Sequence, residues 1–464
     1  MKIHTLTLAT ASAVALTGCV NLAPEYQRSA LPVPAELPAA APAAEGEALH
    51  WEDVIVSDAL RQAIGTALME NRDLRAVAAN VRAARANLVV SRSGLWSEIA
   101  ASSTIQTGDT FDEGISGQQR FQDSTYAQVG VSAWELDFFG RIRNLNEAAL
   151  QAYLSTEDGE RAAKISLAGT IAETWMQLAA DRELLKLANR TAESQSESLS
   201  LTRELFAAGT ASELDVRRAS ASVSQAQAQA AQYEAAVRRD TNALQLLVGA
   251  PLSNSLLSQA NLFPAPVQLN LAVGQSSDVL LERPDVRAAE ARLIAANANI
   301  GAARAAYFPS ISLAGGVGVA STELDDLFNG DGSSGWTFGP SISLPIFDFG
   351  RRRGNLAAAQ ADADAALATY QSTIQQAFRE VADAIAVSET IDRRLNALAQ
   401  LTEDTQVTFE LSGERFKSGL DGYLTVLDAQ REYYSAQQQW ILASLDHNLN
   451  SVALYKALGT WSED

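Results

Sequence analysis

Few residues in this chain have the type and spacing for covalent or metal chemistry. There is no phosphate-loop pattern, no paired zinc-ligand spacing and no Gly-x-Ser-x-Gly elbow. Gly315-Gly316-Val317-Gly318 is glycine-rich but lies inside a candidate strand, so a nucleotide-loop reading fails on context. His4 lies at the amino terminus, His50 in a proline-rich segment and His447 on a helix, each without a nearby ligand set, and three methionines cannot form a metal-passing ladder. The single cysteine, Cys19, excludes an internal disulfide and a thiolate cluster. No catalytic residue, metal or cofactor is expected. What remains is the Cys19 thiol and a strongly acidic surface. Lys+Arg is 35 against Asp+Glu 55, a net −20 with no basic tract, which repels phosphates and excludes nucleic acid as a partner.

The position of Cys19 gives the thiol a use. Lys2 and an apolar run from Leu6 to Leu16 end in Leu16-Thr17-Gly18-Cys19. Residues 1–18 read as a short export signal, too short to remain as a membrane-spanning helix. The small residues before the cysteine resemble the bacterial lipobox. That resemblance implies a lipid on Cys19 as the new amino terminus, and Val20 after it implies sorting to the outer membrane. Residues 19–56 then form a tether. Pro24, Pro32, Pro34, Pro38 and Pro42 keep it extended, with Trp51 placed to pin it. Past residue 19 no stretch reads as a transmembrane helix. Residues 305–322 contain Pro309 and three glycines, and residues 241–277 are polar with three prolines. Any membrane crossing must use strands.

A length of 464 residues suggests roughly three domains at about 150 residues each. An internal duplication overrides that prior. Phe206-Ala207-Ala208-Gly209 aligns with Phe416-Lys417-Ser418-Gly419, and Phe139-Gly140-Arg141 with Phe349-Gly350-Arg351, both at one offset. Leu95-Trp96 aligns with Tyr307-Phe308 two residues further on. The repeats run over 57–249 and 277–459, joined by a linker at 250–276 and followed by a tail at 460–464. Each begins with a helical stretch (57–95; 277–306) and two candidate strands. A very long helical stretch (140–208; 350–418), a glycine turn and a shorter helix (212–248; 423–458) follow. The long stretches lack proline and keep a seven-residue spacing at Ile171, Leu178, Leu185, Ala192, Leu199 and Phe206. At ~1.5 Å per residue each makes a rod of roughly 100 Å, longer than any single globular core.

The candidate strands are 98–107, 125–137, 310–320 and 336–347. Phe338, Ile342, Leu344 and Ile346 share one face of the last, and Ile311, Leu313, Val317 and Val319 one face of its neighbour. Their length fits a tilted bilayer-spanning strand, for which about 9–11 residues are needed. Aromatic residues gather at both ends: Trp96, Phe138, Phe139, Tyr307, Phe308, Phe347 and Phe349 at one, Phe121, Tyr126, Trp336 and Phe338 at the other. The connecting loops are acidic. Four strands alone leave two unpaired edges in lipid, so copies must associate. Two would give eight strands, three twelve and four sixteen, and the arithmetic does not choose between three and four.

Across nearly the whole chain the sequence resembles the outer membrane efflux channels of Gram-negative bacteria, in the lipoprotein branch that serves resistance-nodulation-division pumps. The segments that carry this are Trp134-Glu-Leu-Asp-Phe-Phe-Gly-Arg141, Leu280-Leu-Glu-Arg-Pro-Asp-Val-Arg287, Ala306-Tyr-Phe-Pro-Ser-Ile311, Gly422-Tyr-Leu-Thr-Val-Leu-Asp-Ala-Gln-Arg431 and Leu454-Tyr-Lys-Ala-Leu-Gly459. The resemblance implies a mainly α protein with a transmembrane β-barrel: a homotrimer with a twelve-strand barrel, a twelve-helix tunnel and a mixed equatorial belt built from residues 19–56, 250–276 and the C-terminus. It implies a passive, gated exit duct for drugs or other small toxic compounds, working with a periplasmic adaptor and an inner-membrane pump. Protein secretion or metal-ion efflux are the alternatives within the class, and a pore-free lipid-anchored scaffold or adhesin is the alternative outside it.

The same resemblance places a periplasmic gate at Leu424, Asp428 and Arg431, whose spacings of four and three put them on one helical face. In a ring of copies Leu424 would make an apolar constriction and Asp428 a ring of carboxylates, with Arg431 able to pair with Asp428. Glu213, Asp215 and Arg415 are candidate latch residues. Arg415-Phe416 departs from the Arg-Tyr pair of the family, which excludes a tyrosine-mediated closing hydrogen bond at that position. The turns at Phe206 to Gly209 and Phe416 to Gly419 are the implied adaptor contacts; their local role is helix termination by glycine.

Overall fold

The computed structural model describes residues 20–38, 51–106, 124–267, 276–321, 325, 329 and 332–459. The export signal, Cys19, most of the acidic loop residues and the tail lie outside the described residues. The elements in chain order are helices α1 (Asp58–Glu70) and α2 (Arg72–Ser93), strands β1 (Ile99–Gln106) and β2 (Ser124–Leu136), and helices α3 (Arg141–Ala207) and α4 (Glu213–Val248). The second half repeats the order with α5 (Pro284–Ala305), β3 (Ser310–Ser321), β4 (Ser333–Ser343), α6 (Arg351–Lys417) and α7 (Tyr423–Leu458). Both long helices have 67 residues and both shorter ones 36. No helix among the described residues is long and apolar enough to cross a membrane.

The chain divides into two compact units. The first holds the sheet and the helical segments that adjoin it. Its four strands are antiparallel in the order β1-β2-β3-β4. The register aligns one face across all of them: Val131 lies opposite Ile99 and Gly315, Val317 opposite Val129 and Trp336, and Ile311 opposite Leu136 and Ile342. Residues of the other parity are small or polar, among them Ser102, Thr104, Gln128, Gly316, Thr337 and Ser341. Ile99, Ile105, Val317, Trp336, Phe338 and Ile342 are all exposed in the single chain. One apolar face, exposed, and one face of small and polar residues is the pattern of a barrel wall in lipid. Close backbone approach explains Gly130 and Gly318, where an added Cβ would sit 2.3 Å from the Gly315 carbonyl oxygen and 2.4 Å from the Ala127 carbonyl oxygen; Gly335 and Gly339 of β4 have open space around them.

Two sequence expectations change here. Tyr126 pairs with Thr104 and Ala320, which puts it on the polar face, so it does not join Trp336 and Phe338 in an aromatic girdle. The last strand ends at Ser343 instead of residue 347, because β3 begins at Ser310 and leaves residues 344–347 with no partner in the chain. A bulge in β2 between Val131 and Trp134 restores the apolar parity toward its end.

Residues 20–28 of the same unit lie along α5. Val20 donates to the Phe138 carbonyl, Arg304 reaches the Leu22 carbonyl and Asn297 the Pro24 carbonyl. Tyr26 and Arg28 close on the buried Glu290, the arginine through two hydrogen bonds of 2.7 and 2.8 Å. Val20, the residue after Cys19, is thus fixed at the aromatic end of the sheet.

The second unit contains the main apolar core, in which Leu60, Ile64, Ile171, Trp175, Met176, Leu178 and Leu244 are fully buried and Trp51 packs on the margin. The seven-residue seam of α3 holds at Ile171, Leu178 and Leu199 but drifts between them. Leu185 and Ala192 are half-buried, Phe206 is exposed, and Leu184, Leu187 and Ala188 take their place. A straight helix drifts ~20° per heptad against a strict repeat of seven.

The helical stretch expected over 57–95 is broken at Asn71, and that expected over 277–306 opens as a 3-10 turn, Ser277–Glu282, before Arg283. These two breaks occupy equivalent positions of the duplication. Asn71 caps α2 by accepting from Leu74 and donates 2.7 Å to the Leu247 carbonyl at the end of α4. Arg283 donates 2.7 Å to the Ala457 carbonyl, the equivalent atom at the end of α7, and also binds Asp285 and Glu380. The charges of Asp285 and Glu380 raise the Arg283 pKa against the opposing effect of burial. One tertiary tie is built twice, with a different side chain each time.

Candidate functional site

The two hairpin turns of the second unit share one backbone solution. Gly209 (φ 77°) and Gly419 (φ 75°) adopt the left-handed conformation that a residue with a Cβ avoids. Thr210 donates to the Leu205 carbonyl and Leu420 to the Arg415 carbonyl, each at 2.9 Å. Their side chains differ. At the first turn Ser212 and Asp215 form a reciprocal cap on α4, and Glu213 pairs with Arg217 at 3.1 Å. Hydrogen bonds from the Ser212 hydroxyl and backbone hold the Asp215 carboxyl below its usual range. At the second turn α7 starts at Gly422 with no side-chain cap. Arg415 clamps Asp421 there through bonds of 2.6 and 3.1 Å, which lowers the Asp421 pKa. The candidate latch residues Glu213, Asp215 and Arg415 are therefore each engaged within their own turn.

Behind the turns, Leu199, Ala219, Val223, Tyr423 and Leu427 form a small core joined by Val216 and Phe416. The Phe416 ring packs on Tyr423 at 5.7 Å, the contact available to a residue with no hydroxyl. Tyr423 and Leu427 direct one face of α7 into this core. Leu424, Asp428 and Arg431 lie on the exposed face. Asp428 and Arg431 approach to 3.7 Å with side chains 59% and 62% exposed, a loose ion pair that contributes a few tenths of a kcal/mol. Leu424 is also exposed, although leucine on a helix facing water gains nothing.

Polar groups missed in the sequence line the joint between α3, α4 and α7. Gln195 donates to Gln430 at 2.7 Å, Gln438 to the Tyr233 hydroxyl at 3.1 Å, and a cavity of about 290 Å³ lies beside them. Asp181 of α3 and Asp240 of α4 face each other closely enough to share a proton. Asp181 also accepts from Gln177, and one Asp240 oxygen is buried without a partner. The visible signal was Asp181 three residues after Leu178, a charge on the buried stripe.

Burial, then the hydrogen bond and charge of Asp181, push Asp240 up to about 7, with Arg239 opposing. The folded chain holds this proton more tightly than the unfolded chain. Stability therefore rises as pH falls from about 7 toward the ordinary carboxylate range, and this contribution is lost above about 7, where Asp240 ionises. Asp240→Asn should raise the thermal midpoint at pH 8 by about 1 °C for each kcal/mol relieved in a chain of this length, and leave it unchanged near pH 5. Melting curves followed by circular dichroism decide this; equal shifts at both pH values would exclude the shared proton.

A four-stranded sheet with an exposed apolar face, and helical hairpins of 67 and 36 residues, are the features of a membrane channel protein. The family model described as outer membrane efflux protein matches residues 63–250 and again 276–460, and the chain belongs to that family. It is 43% identical to the solvent efflux pump outer membrane protein SrpC of Pseudomonas putida over 96% of both chains. It is 38% identical to the outer membrane protein OprJ of Pseudomonas aeruginosa over 97% of this chain and 95% of that one. Among solved structures, a membrane protein from Pseudomonas aeruginosa superposes with a TM-score of 0.87 at 37% identity, covering 95% of this chain and all of the other. The MtrE outer membrane channel of Neisseria gonorrhoeae, in its open state, gives 0.83 at 33% identity, covering 95% and 98%. The protein is an outer membrane channel component of an efflux pump and not an enzyme, and such a component works with adaptor and inner-membrane partners.

Proposed function

We propose that three copies, each anchored by a lipid on Cys19, close a twelve-strand barrel continued by twelve helical columns. This trimer is the passive exit duct of a resistance-nodulation-division pump. The observation that carries the duct is the common register of the four strands, which turns the Ile, Leu, Val, Phe and Trp side chains to one face and leaves β1 and β4 open. Small and polar residues then line the lumen. Val20, held at the aromatic end of the sheet, supports a lipid on the preceding residue. Leu424, Asp428 and Arg431 form the gate, Glu213, Asp215 and Arg415 its latch, and the turns at Phe206, Gly209, Phe416 and Gly419 receive the adaptor. Opening follows from tighter adaptor binding to the open state.

The cargo class is small apolar toxicants, because relatives at 42 to 43% identity are named as solvent and toluene efflux proteins. Deleting the gene should sensitise cells to toluene and apolar dyes while tolerance of copper and zinc salts is unchanged. Sensitivity to metal salts alone would overturn this cargo class.

A further inference from the structure

The duplication leaves one arginine without the partner its counterpart has. At the offset that aligns Phe139-Gly140-Arg141 with Phe349-Gly350-Arg351, Glu135 matches Pro345 and Asp137 matches Phe347. In the first half both carboxylates are in use. Arg141 donates two hydrogen bonds to Glu135, one of them at 2.9 Å, and Arg143 binds Asp137 at 3.2 Å. The second half keeps arginines at 351, 352 and 353, and the acidic residue beside them is Asp348. Arg352 takes it at 2.7 Å, together with the Gly350 and Arg352 amides. Arg351 is exposed and has no acidic partner among the described residues. It lines a cavity of about 360 Å³ at the end of the sheet. Ser310 and Ser343, which pair on the polar face, and Glu135, opposite Ser312 on that face, line the same cavity, so it opens on the polar side. The remaining wall is apolar: Pro309, and Phe139 stacked on Phe308 at 4.6 Å, with Phe308 42% accessible. Since Arg141 neutralises Glu135 and Arg143 neutralises Asp137, Arg351 is the uncompensated charge of the site.

We propose that this cavity binds a small organic anion with a flat apolar body, an aromatic carboxylate being the simplest case. The Arg351 guanidinium holds the carboxylate through a charge-assisted fork of two hydrogen bonds. The body rests on the exposed Phe308 ring and against Pro309. An inorganic anion gains nothing from the apolar wall, and a neutral arene leaves the guanidinium unused, so both bind more weakly. Arg141 cannot take this part, because Glu135 already fills its fork. The site therefore occurs once per copy, in the second half alone. A cavity of this size lies within the range of small-molecule sites, which starts at about 300 Å³. The proposal rests on the duct reading above for its setting: the polar face lines the lumen there, so the ligand is an acidic cargo that pauses on the wall. In a chain of net charge −20, an unpaired guanidinium on that face is a local station for anions that the rest of the surface repels.

Equilibrium dialysis of radiolabelled 2-naphthoate against the full-length protein in a neutral detergent tests the site, with uncharged 2-naphthylmethanol as the shape control. Uptake by the micelles is common to every protein compared and cancels. The parent should bind 2-naphthoate at least about tenfold more tightly than it binds 2-naphthylmethanol, and Arg351→Gln should lose at least about tenfold in affinity for 2-naphthoate, the effect of removing a hydrogen bond to a charged group. Arg353→Gln should bind as the parent does, because Arg353 is two positions further on, on another face of α6, and does not line the cavity. Arg351 is exposed and unpaired, so Arg351→Gln should keep the parent's melting curve. Equal binding by the parent and Arg351→Gln, or an equal loss from Arg353→Gln, overturns the site. Planar-bilayer recording of the same preparations separates the site from the duct. There 2-naphthoate should interrupt the current of the parent and not that of Arg351→Gln. A channel that conducts without Arg351-dependent binding overturns the site and leaves the duct standing. Binding through Arg351 with an uninterrupted current overturns the cargo role, and binding through Arg351 in a protein that carries no current upholds the site and overturns the duct.

Discussion

Arg283→Ala should destabilise the folded chain by about 1.5–3 kcal/mol, the range for losing hydrogen bonds to charged groups, because the two carboxylates left behind are 40% and 36% exposed and solvent screens them. The substitution removes the partner of Asp285 and of Glu380 and leaves the Ala457 carbonyl without its donor at 2.7 Å. Three elements meet at this side chain: the entry to α5, the middle of α6 and the end of α7. Arg283→Lys keeps the charge but cannot reach three acceptors with one ammonium, so it should recover only part of the loss. Asn71→Ala, at the equivalent position, removes a neutral bond and a helix cap and should cost about 1–2 kcal/mol. Denaturant titrations of the three variants check the ranking. A loss below about 1 kcal/mol for Arg283→Ala would mean that solvent satisfies the exposed edges of Asp285 and Glu380.

This tie shows why some features were legible in the sequence and others were not. The helices and strands follow periods of 3.6 and 2 that any window displays, and the glycine turns follow from conformational need at Gly209 and Gly419. The alignment of Asn71 with Arg283 is not visible as chemistry, since amide and guanidinium look unrelated until both reach the same carbonyl at a helix end. The Asp181 and Asp240 pair lies on different helices, and only their packing brings the carboxyls together. The end of β4 was overestimated for another reason. Alternation at Leu344 and Ile346 reports the strand's fitness to pair, whereas its pairing needs an edge that a single chain does not supply. Tyr126 was misplaced because nearness to a strand end carries no information about face until the register is known.

Leu424→Ala together with Asp428→Ala should raise the single-channel conductance of the reconstituted protein while leaving its thermal midpoint nearly unchanged. Both side chains lie on the exposed face of α7, opposite Tyr423 and Leu427, so they support no packing within the chain. Exposed substitutions of this kind shift stability by no more than about 0.5 kcal/mol. The effect on flow has a different origin. In the symmetric ring proposed above, every copy would contribute its Leu424 to an apolar constriction and its Asp428 to a ring of carboxylates one helical turn away, so one substitution would act once per copy. The loose 3.7 Å contact with Arg431 does not neutralise Asp428 in water. Asp428→Asn alone should therefore weaken cation selectivity more than it changes conductance, and Leu424→Ala alone should do the opposite. Planar-bilayer recordings separate the two. Conductance and selectivity unchanged in all variants would remove this face of α7 from the pore constriction and shift attention to the α3–α4 turn, where Asp215 is held by Ser212.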